Sequence, residues 1–229
     1  MKYYPINLDI RDKKSLLVGG GEVALRKVKC LLKSGSKVKI VSPELTKSFR
    51  EFINSREYFE SRDSFNRQKY SGNLQYFKRR FTEDDLEDIC LVIAATNNEE
   101  VNKRIVRIAN KNGVMVSAVD NKEISDFTLP AVIDRGDFLL SFCTCGNLPA
   151  LSKRLREEFE EEFGREYAFF LDMMCELRSE IIDKVDDEDK RSKIFNNLAD
   201  RKLIAKFGED TAAAFSEIEN IISEEVAIE

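Results

Sequence analysis

The chain has 229 residues, 34% of them charged and 42% hydrophobic, with a net charge of −5. That balance belongs to a folded globular protein; no apolar run approaches the roughly 18 residues of a membrane span, and a pI of 5.2 without a recognisable motif disfavours nucleic acid. Histidine is absent and the five cysteines form no zinc-type pairing of Cys-x-x-Cys motifs, so chemistry that needs an imidazole base or imidazole metal ligand is excluded and no metal ligands are assigned.

The start, Met1-Lys2-Tyr3-Tyr4-Pro5, lacks the apolar core of a secretory signal, so cytoplasmic residence with reduced thiols is expected. Residues 14–18 read as a strand, and Gly19-Gly20-Gly21-Glu22-Val23-Ala24 follows it directly into a helical pattern over 22–34. This is a Gly-x-Gly-x-x-Ala corner. Gly19 permits the sharp turn, Gly21 lets a pyrophosphate approach the main chain, and Ala24 lets helix and strand pack closely. The free amides of the first helical turn add attraction for an anion, which makes the corner a candidate dinucleotide site.

Val38-Lys39-Ile40-Val41 reads as a second strand, alternating in part like an exposed edge, and ends at Ser42-Pro43-Glu44. An NAD-binding unit usually carries an acid at this strand end for the ribose hydroxyls. Ser42 stands there, with Glu44 two residues on. Residues 44–60 read as helical and the polar run 61–73 as an exposed insertion. Residues 75–78 form a third strand, Thr82-Glu83-Asp84-Asp85 caps a short helix, and Cys90 to Ala95 is an apolar run suited to a central parallel strand. Thr96-Asn97-Asn98, a helix over 99–112 and a fifth strand over 114–119 ending at Asp120 complete an alternating pattern. The pattern predicts an α/β, Rossmann-like doubly wound parallel sheet. Gly19 to Val23, Ser42, Thr96 and Asp120 all fall at strand carboxyl ends, where such sheets hold ligands.

After Asp120 the rhythm changes. Phe127–Ile133 and Phe138–Phe142 read as strands joined by a turn at 134–137, and from Pro149 the chain reads as helix to its end. An apolar stripe runs through Leu151, Leu155, Phe159, Phe163, Tyr167, Phe170, Met174, Leu177 and Ile181, as a core or dimer seam would. Residues 1–150 hold 25 Lys and Arg against 20 Asp and Glu, and the remainder 12 against 22, a split that suits either an anionic ligand on the N-terminal part or simply the solvated surface of the C-terminal helices. Cys143-Thr144-Cys145 offers only two thiols and reads as incidental.

Gly19-Gly20-Gly21-Glu22-Val23-Ala24 with Arg26-Lys27, Ala94-Ala95-Thr96-Asn97-Asn98 with Val101-Asn102, Val119-Asp120, Phe127 with Pro130-Ala131, and Leu151 with Leu155-Arg156 occur in that order. Together they resemble the siroheme synthase N-terminal module, the precorrin-2 dehydrogenases, some of which are also sirohydrochlorin ferrochelatases. The resemblance implies an NAD(P)-binding domain (1–117), a β-rich dimerisation segment (118–148) and a C-terminal helical domain (149–229), assembled as a homodimer. It implies that NAD takes hydride from precorrin-2 to give sirohydrochlorin, that Fe2+ is a second substrate where the chelatase is present, and that Asp120 is the key carboxylate.

Cofactor contacts are expected from Gly19, Gly20, Gly21, Glu22, Val23, Ala24, Ser42, Pro43, Glu44 and Thr96. Thr144, Arg135, Arg154 and Arg156 are candidates for the tetrapyrrole carboxylates, which suit arginine forks. Two departures stand out: Ser117 where the family often has asparagine, and Leu148 for a serine in Thr144-Cys145-Gly146-Asn147-Leu148-Pro149. No uroporphyrinogen methyltransferase region follows, so a stand-alone form is expected. The alternative is a regulatory module that senses NAD(H) without turnover. A short-chain dehydrogenase lacks its Tyr-x-x-x-Lys.

Overall fold

A computed structural model describes residues 2–55, 73–119 and 121–226. The chain divides into two compact units, Met1–Thr128 and Leu129–Glu229. The first holds β1 (Lys14–Val18), α1 (Glu22–Lys33), β2 (Lys37–Val41), α2 (Lys47–Asn54), β3 (Leu74–Phe77), β4 (Ile89–Ala94), α3 (Glu99–Lys111) and β5 (Met115–Ala118). All strand pairs are parallel and the order is β3-β2-β1-β4-β5, the doubly wound sheet that the alternating pattern predicts.

Alternation along β1 sends side chains to opposite faces. Leu16 and Val18 join Val92, Ile105 and Val116 in one core, and Leu17 joins Ile40, Ile93, Ala24 and Val28 in the other. Each helix therefore needs only one apolar stripe. Asn98 caps α3, its side chain accepting from the Val101 amide, and Gly113, at φ +69°, follows its end.

Three expectations require correction. β2 is an inner strand, between β3 and β1, rather than an edge. Its alternation arises because Lys39 meets a buried acid: the Lys39 ammonium lies 2.8 Å from Asp85, whose side chain is fully buried. Helix α2 starts at Lys47 rather than residue 44, because the Ser42–Thr46 stretch packs on the glycine corner; residues 56–60 of the expected helix, and all of the expected insertion but Asn73, lie outside the described residues. The segment from Phe127 to Pro130 is not strand. Phe127 packs into the core of the first unit, and β6 (Ala131–Arg135) begins only beyond Pro130.

In the second unit β6 pairs antiparallel with β7 (Phe138–Phe142), turning through Gly136 at φ +72°. Helices α4 (Pro149–Glu162), α5 (Glu166–Lys184), α6 (Glu188–Leu198), α7 (Arg201–Glu209) and α8 (Thr211–Val226) follow. The long apolar stripe spans α4 and α5, with the break at Phe163-Gly164-Arg165. Tyr167, Phe170 and Ile181 are buried with Ile194, Leu198, Leu203 and Phe207 in a third core.

Candidate functional site

The carboxyl ends of β1, β2 and β4 meet at the glycine corner. Gly19 has φ +134°, and a Cβ there would stand 2.2 Å from the Ala95 carbonyl oxygen, so the residue is bound to glycine by conformation and by the end of β4. The Gly19 amide donates to the Val41 carbonyl (3.0 Å), which ties β1 to β2. At Gly20 a Cβ would lie 1.9 Å from the Glu44 carbonyl oxygen, and the Thr46 amide donates to the Gly20 carbonyl (2.8 Å). Gly21 differs. A Cβ there meets no described atom within 4 Å.

Gly21 is also the N-cap of α1 and provides no side chain to satisfy its first turn. Leu25 is the first amide to reach a helical carbonyl, that of Gly21 at 3.0 Å. The amides of Glu22, Val23 and Ala24 therefore face the corner with no helical acceptor, and the helix dipole adds partial positive charge. The Glu22 carboxylate is drawn aside: Ser48 of α2 donates to it. Hydrogen bonds from Ser48 and Thr46 hold Glu22 below the usual carboxylate range, so it stays ionised beside α2.

At the end of β2, Ser42 is buried and its hydroxyl donates to the Glu44 carbonyl (2.6 Å), while Tyr76 donates to the Ser42 carbonyl (3.0 Å). The Ser42 hydroxyl is thus used within the loop. The Pro43 and Glu44 side chains are exposed. At the end of β4, Thr96 is held by a residue to which the sequence reading assigned no contact. Asn102, 3% exposed, accepts from the Thr96 amide (3.2 Å) and hydroxyl (2.7 Å) and donates to the Thr96 carbonyl (3.1 Å). Its signal in the sequence was an asparagine on the first turns of a helix whose position faces the preceding loop. Asp120 lies outside the described residues; Ser117, three residues earlier, is buried on β5.

The other candidates are in the second unit. Arg135 donates to the carbonyls of Phe163 and Glu160 (both 3.0 Å), capping the carboxyl end of α4, so its guanidinium serves a structural purpose. Arg156 pairs with Glu157 and Glu160 of its own helix. Arg154 is exposed and forms no ion pair among the described residues. The Thr144 hydroxyl accepts from Ser152 (3.2 Å) and from the Leu148 amide (3.4 Å), closing the turn into α4. Cys145, at φ +53°, donates its amide to the Cys143 sulfur (3.3 Å).

Residues 6–131 match the family model described as "Putative NAD(P)-binding". The chain belongs to that family. The match covers the whole glycine corner and all five parallel strands of this NAD(P)-binding protein. Siroheme synthase of Chromobacterium violaceum is 30% identical over 97% of the chain, which corresponds to 44% of that relative. Siroheme synthase 2 of Aeromonas salmonicida is 32% identical over 88% of the chain and 36% of its own length. The chain thus spans less than half the length of these curated relatives. A solved structure named "SirC, precorrin-2 dehydrogenase" shares the fold, with TM-score 0.69 over 95% of this chain and all of the other at 22% identity. No described helix is long and apolar enough to cross a membrane.

Proposed function

We propose that this NAD(P)-binding chain is a cytoplasmic, NAD-dependent precorrin-2 dehydrogenase that produces sirohydrochlorin. The observation that carries the reading is the corner at Gly21, open where a side chain would stand and lined by three unpaired helical amides, in a chain similar to siroheme synthases over nearly its full length. The pyrophosphate would rest on the amides of Glu22, Val23 and Ala24. Glu44, exposed at the end of β2, would accept from the ribose hydroxyls and would repel a 2′-phosphate, which favours NAD over NADP.

NAD, when bound, supplies the hydride acceptor. Precorrin-2 loses two hydrogens, one as hydride and one as a proton, so the chain's own task is to seat the macrocycle and take that proton. The chain has no histidine, and the carboxylate that the resemblance singles out, Asp120, two residues beyond β5 in the sequence, would take it. Of the three candidate arginines, Arg154 is the one that is exposed and without an ion pair among the described residues, which leaves its guanidinium available to a substrate carboxylate. The hairpin buries Ile133 on one face and leaves Val132 and Leu139 exposed on the other, which suits pairing with a second copy in a homodimer.

The test is anaerobic NADH formation from precorrin-2 and NAD+, with Asp120→Asn alongside the wild type. We expect one NADH per sirohydrochlorin from the wild type and a loss of at least about a hundredfold in the variant. An Asp120→Asn protein of full activity contradicts the assigned base. Cofactor binding with neither turnover nor a spectral shift on adding sirohydrochlorin would instead describe an NAD(H) sensor. A parallel incubation of sirohydrochlorin with Fe2+ reads chelation, in which the same carboxylate would accept the displaced pyrrole protons.

A further inference from the structure

β2 and β3 pair in parallel, and the Ser42 amide makes the last regular bond of that ladder, donating to the Phe77 carbonyl at 3.2 Å. Continued one step, the ladder would bring the Arg79 amide to the Ser42 carbonyl. The Arg79 amide instead turns back to the Phe77 carbonyl at 2.9 Å. The carbonyl of Ser42, a buried residue, is therefore left with no backbone donor among the described residues. Tyr76 supplies a donor from its side chain, the hydroxyl lying 3.0 Å from that oxygen.

Packing alone does not ask for a hydroxyl there. Tyr76 pairs with Ile40 across the ladder and its ring packs on the core that α1 covers, a place phenylalanine would fill as well. Burial pushes the phenol up, the Glu44 carboxylate adds to that and Arg50 works against it, so the hydroxyl keeps its proton and remains a donor. Its bond fixes the peptide that leads into Pro43. The loop beyond is short and closed on itself. The Ser42 hydroxyl donates to the Glu44 carbonyl (2.6 Å), that carbonyl stands against Gly20, and the Thr46 amide donates to the Gly20 carbonyl (2.8 Å). Tyr76 thus orients the strand end from which the chain carries Glu44 onto the glycine corner.

We infer that Tyr76 is a positioning residue for the cofactor: by holding the Ser42 carbonyl it sets the direction in which the chain leaves β2, so that the Glu44 carboxylate meets the adenosine ribose at a fixed place. The inference rests on the reading of Glu44 as the acceptor for the ribose hydroxyls. Tyr76→Phe keeps the packed ring and removes only the bond.

The test is a calorimetric double-mutant cycle with NAD+ on the full chain: wild type, Tyr76→Phe, Glu44→Gln and the double variant. Tyr76→Phe should raise Kd about fivefold and Glu44→Gln about tenfold, each at unchanged stoichiometry. The double variant should match Glu44→Gln within about twofold, because Tyr76 acts through Glu44 and then has nothing left to position. A hydroxyl that merely supports the fold would lower the melting temperature and the fraction of protein that binds, with an unchanged Kd in what stays folded; that result overturns the inference. So does a double variant weaker than Glu44→Gln by the full factor of Tyr76→Phe. If Glu44→Gln weakens binding while Tyr76→Phe binds as the wild type does, the role of Tyr76 is wrong and the ribose contact stands. If Glu44→Gln binds as the wild type does, the ribose contact fails and the inference with it. A wild type that does not bind NAD+ removes the reading beneath both.

Discussion

Three consecutive glycines occupy the first corner and each is needed for a different reason. Gly19 has a left-handed φ and a carbonyl against its Cα, Gly20 is closed in by the Glu44 carbonyl, and Gly21 faces open space. The motif Gly-x-Gly-x-x-Ala treats the middle residue as free, so this constraint was illegible in the sequence; it comes from the return of the Ser42–Thr46 loop onto the corner. A Gly20→Ala substitution forces that loop to move and should lower unfolding free energy by about 2 kcal/mol in urea titrations, as overpacking does. A variant as stable as the wild type would show that the loop is not seated there. Ser42 illustrates the converse limit. Its position at the strand end was legible, but the partner of its hydroxyl was not, because the Glu44 carbonyl becomes its acceptor only once the loop folds back.

At the scale of elements, the misread edge strand shows what periodicity leaves out. Lys39 in β2 looks like a solvent-facing residue, yet its strand is internal and its ammonium compensates Asp85, far along the chain. Arg79 completes the cluster with two bonds to the same carboxylate (2.7 and 2.6 Å), and both cations lie over the Phe77 ring at 5.3 and 5.4 Å. Burial alone would push the Asp85 carboxyl up. The hydrogen bonds from Arg79, Lys39 and the Thr82 amide overcome it and hold the group well below the ordinary carboxylate range.

A carboxyl depressed in the folded state contributes stability above its unfolded pKa of about 3.9, and that contribution is lost as pH falls from there through the folded value. Asp85→Asn should therefore cost about 3 kcal/mol at neutral pH, because two cations lose their charged partner, while its stability should decline less steeply below about pH 4. Equal acid sensitivity in urea titrations of the two proteins would rule Asp85 out as the group responsible. The capping box that sets this carboxylate in place, Thr82 with Asp85, was legible; its ionic role was not.

Over the whole molecule, the parallel sheet was legible because β4, covered on both faces, is a continuous apolar run and α1 and α3 are each followed closely by a glycine of positive φ. The second unit was less so. One apolar stripe served two helices, since a break at Phe163-Gly164-Arg165 preserves the spacing of buried residues, and the bonds by which Arg135, one of the arginine candidates, caps α4 had no signal in the sequence. A side chain's role depends on which carbonyls a helix end leaves unpaired, and that is settled only by tertiary packing.

The central claim is that the open corner at Gly21 seats the pyrophosphate of NAD, and calorimetric titration of NAD+ into wild type and Gly21→Val tests it most directly. The backbone there is extended and the added side chain meets no described neighbour, so the melting temperature should stay within about 4 °C of the wild type. Wild type should bind NAD+ saturably and Gly21→Val should not bind it measurably. Equal affinity in the two proteins would contradict the account.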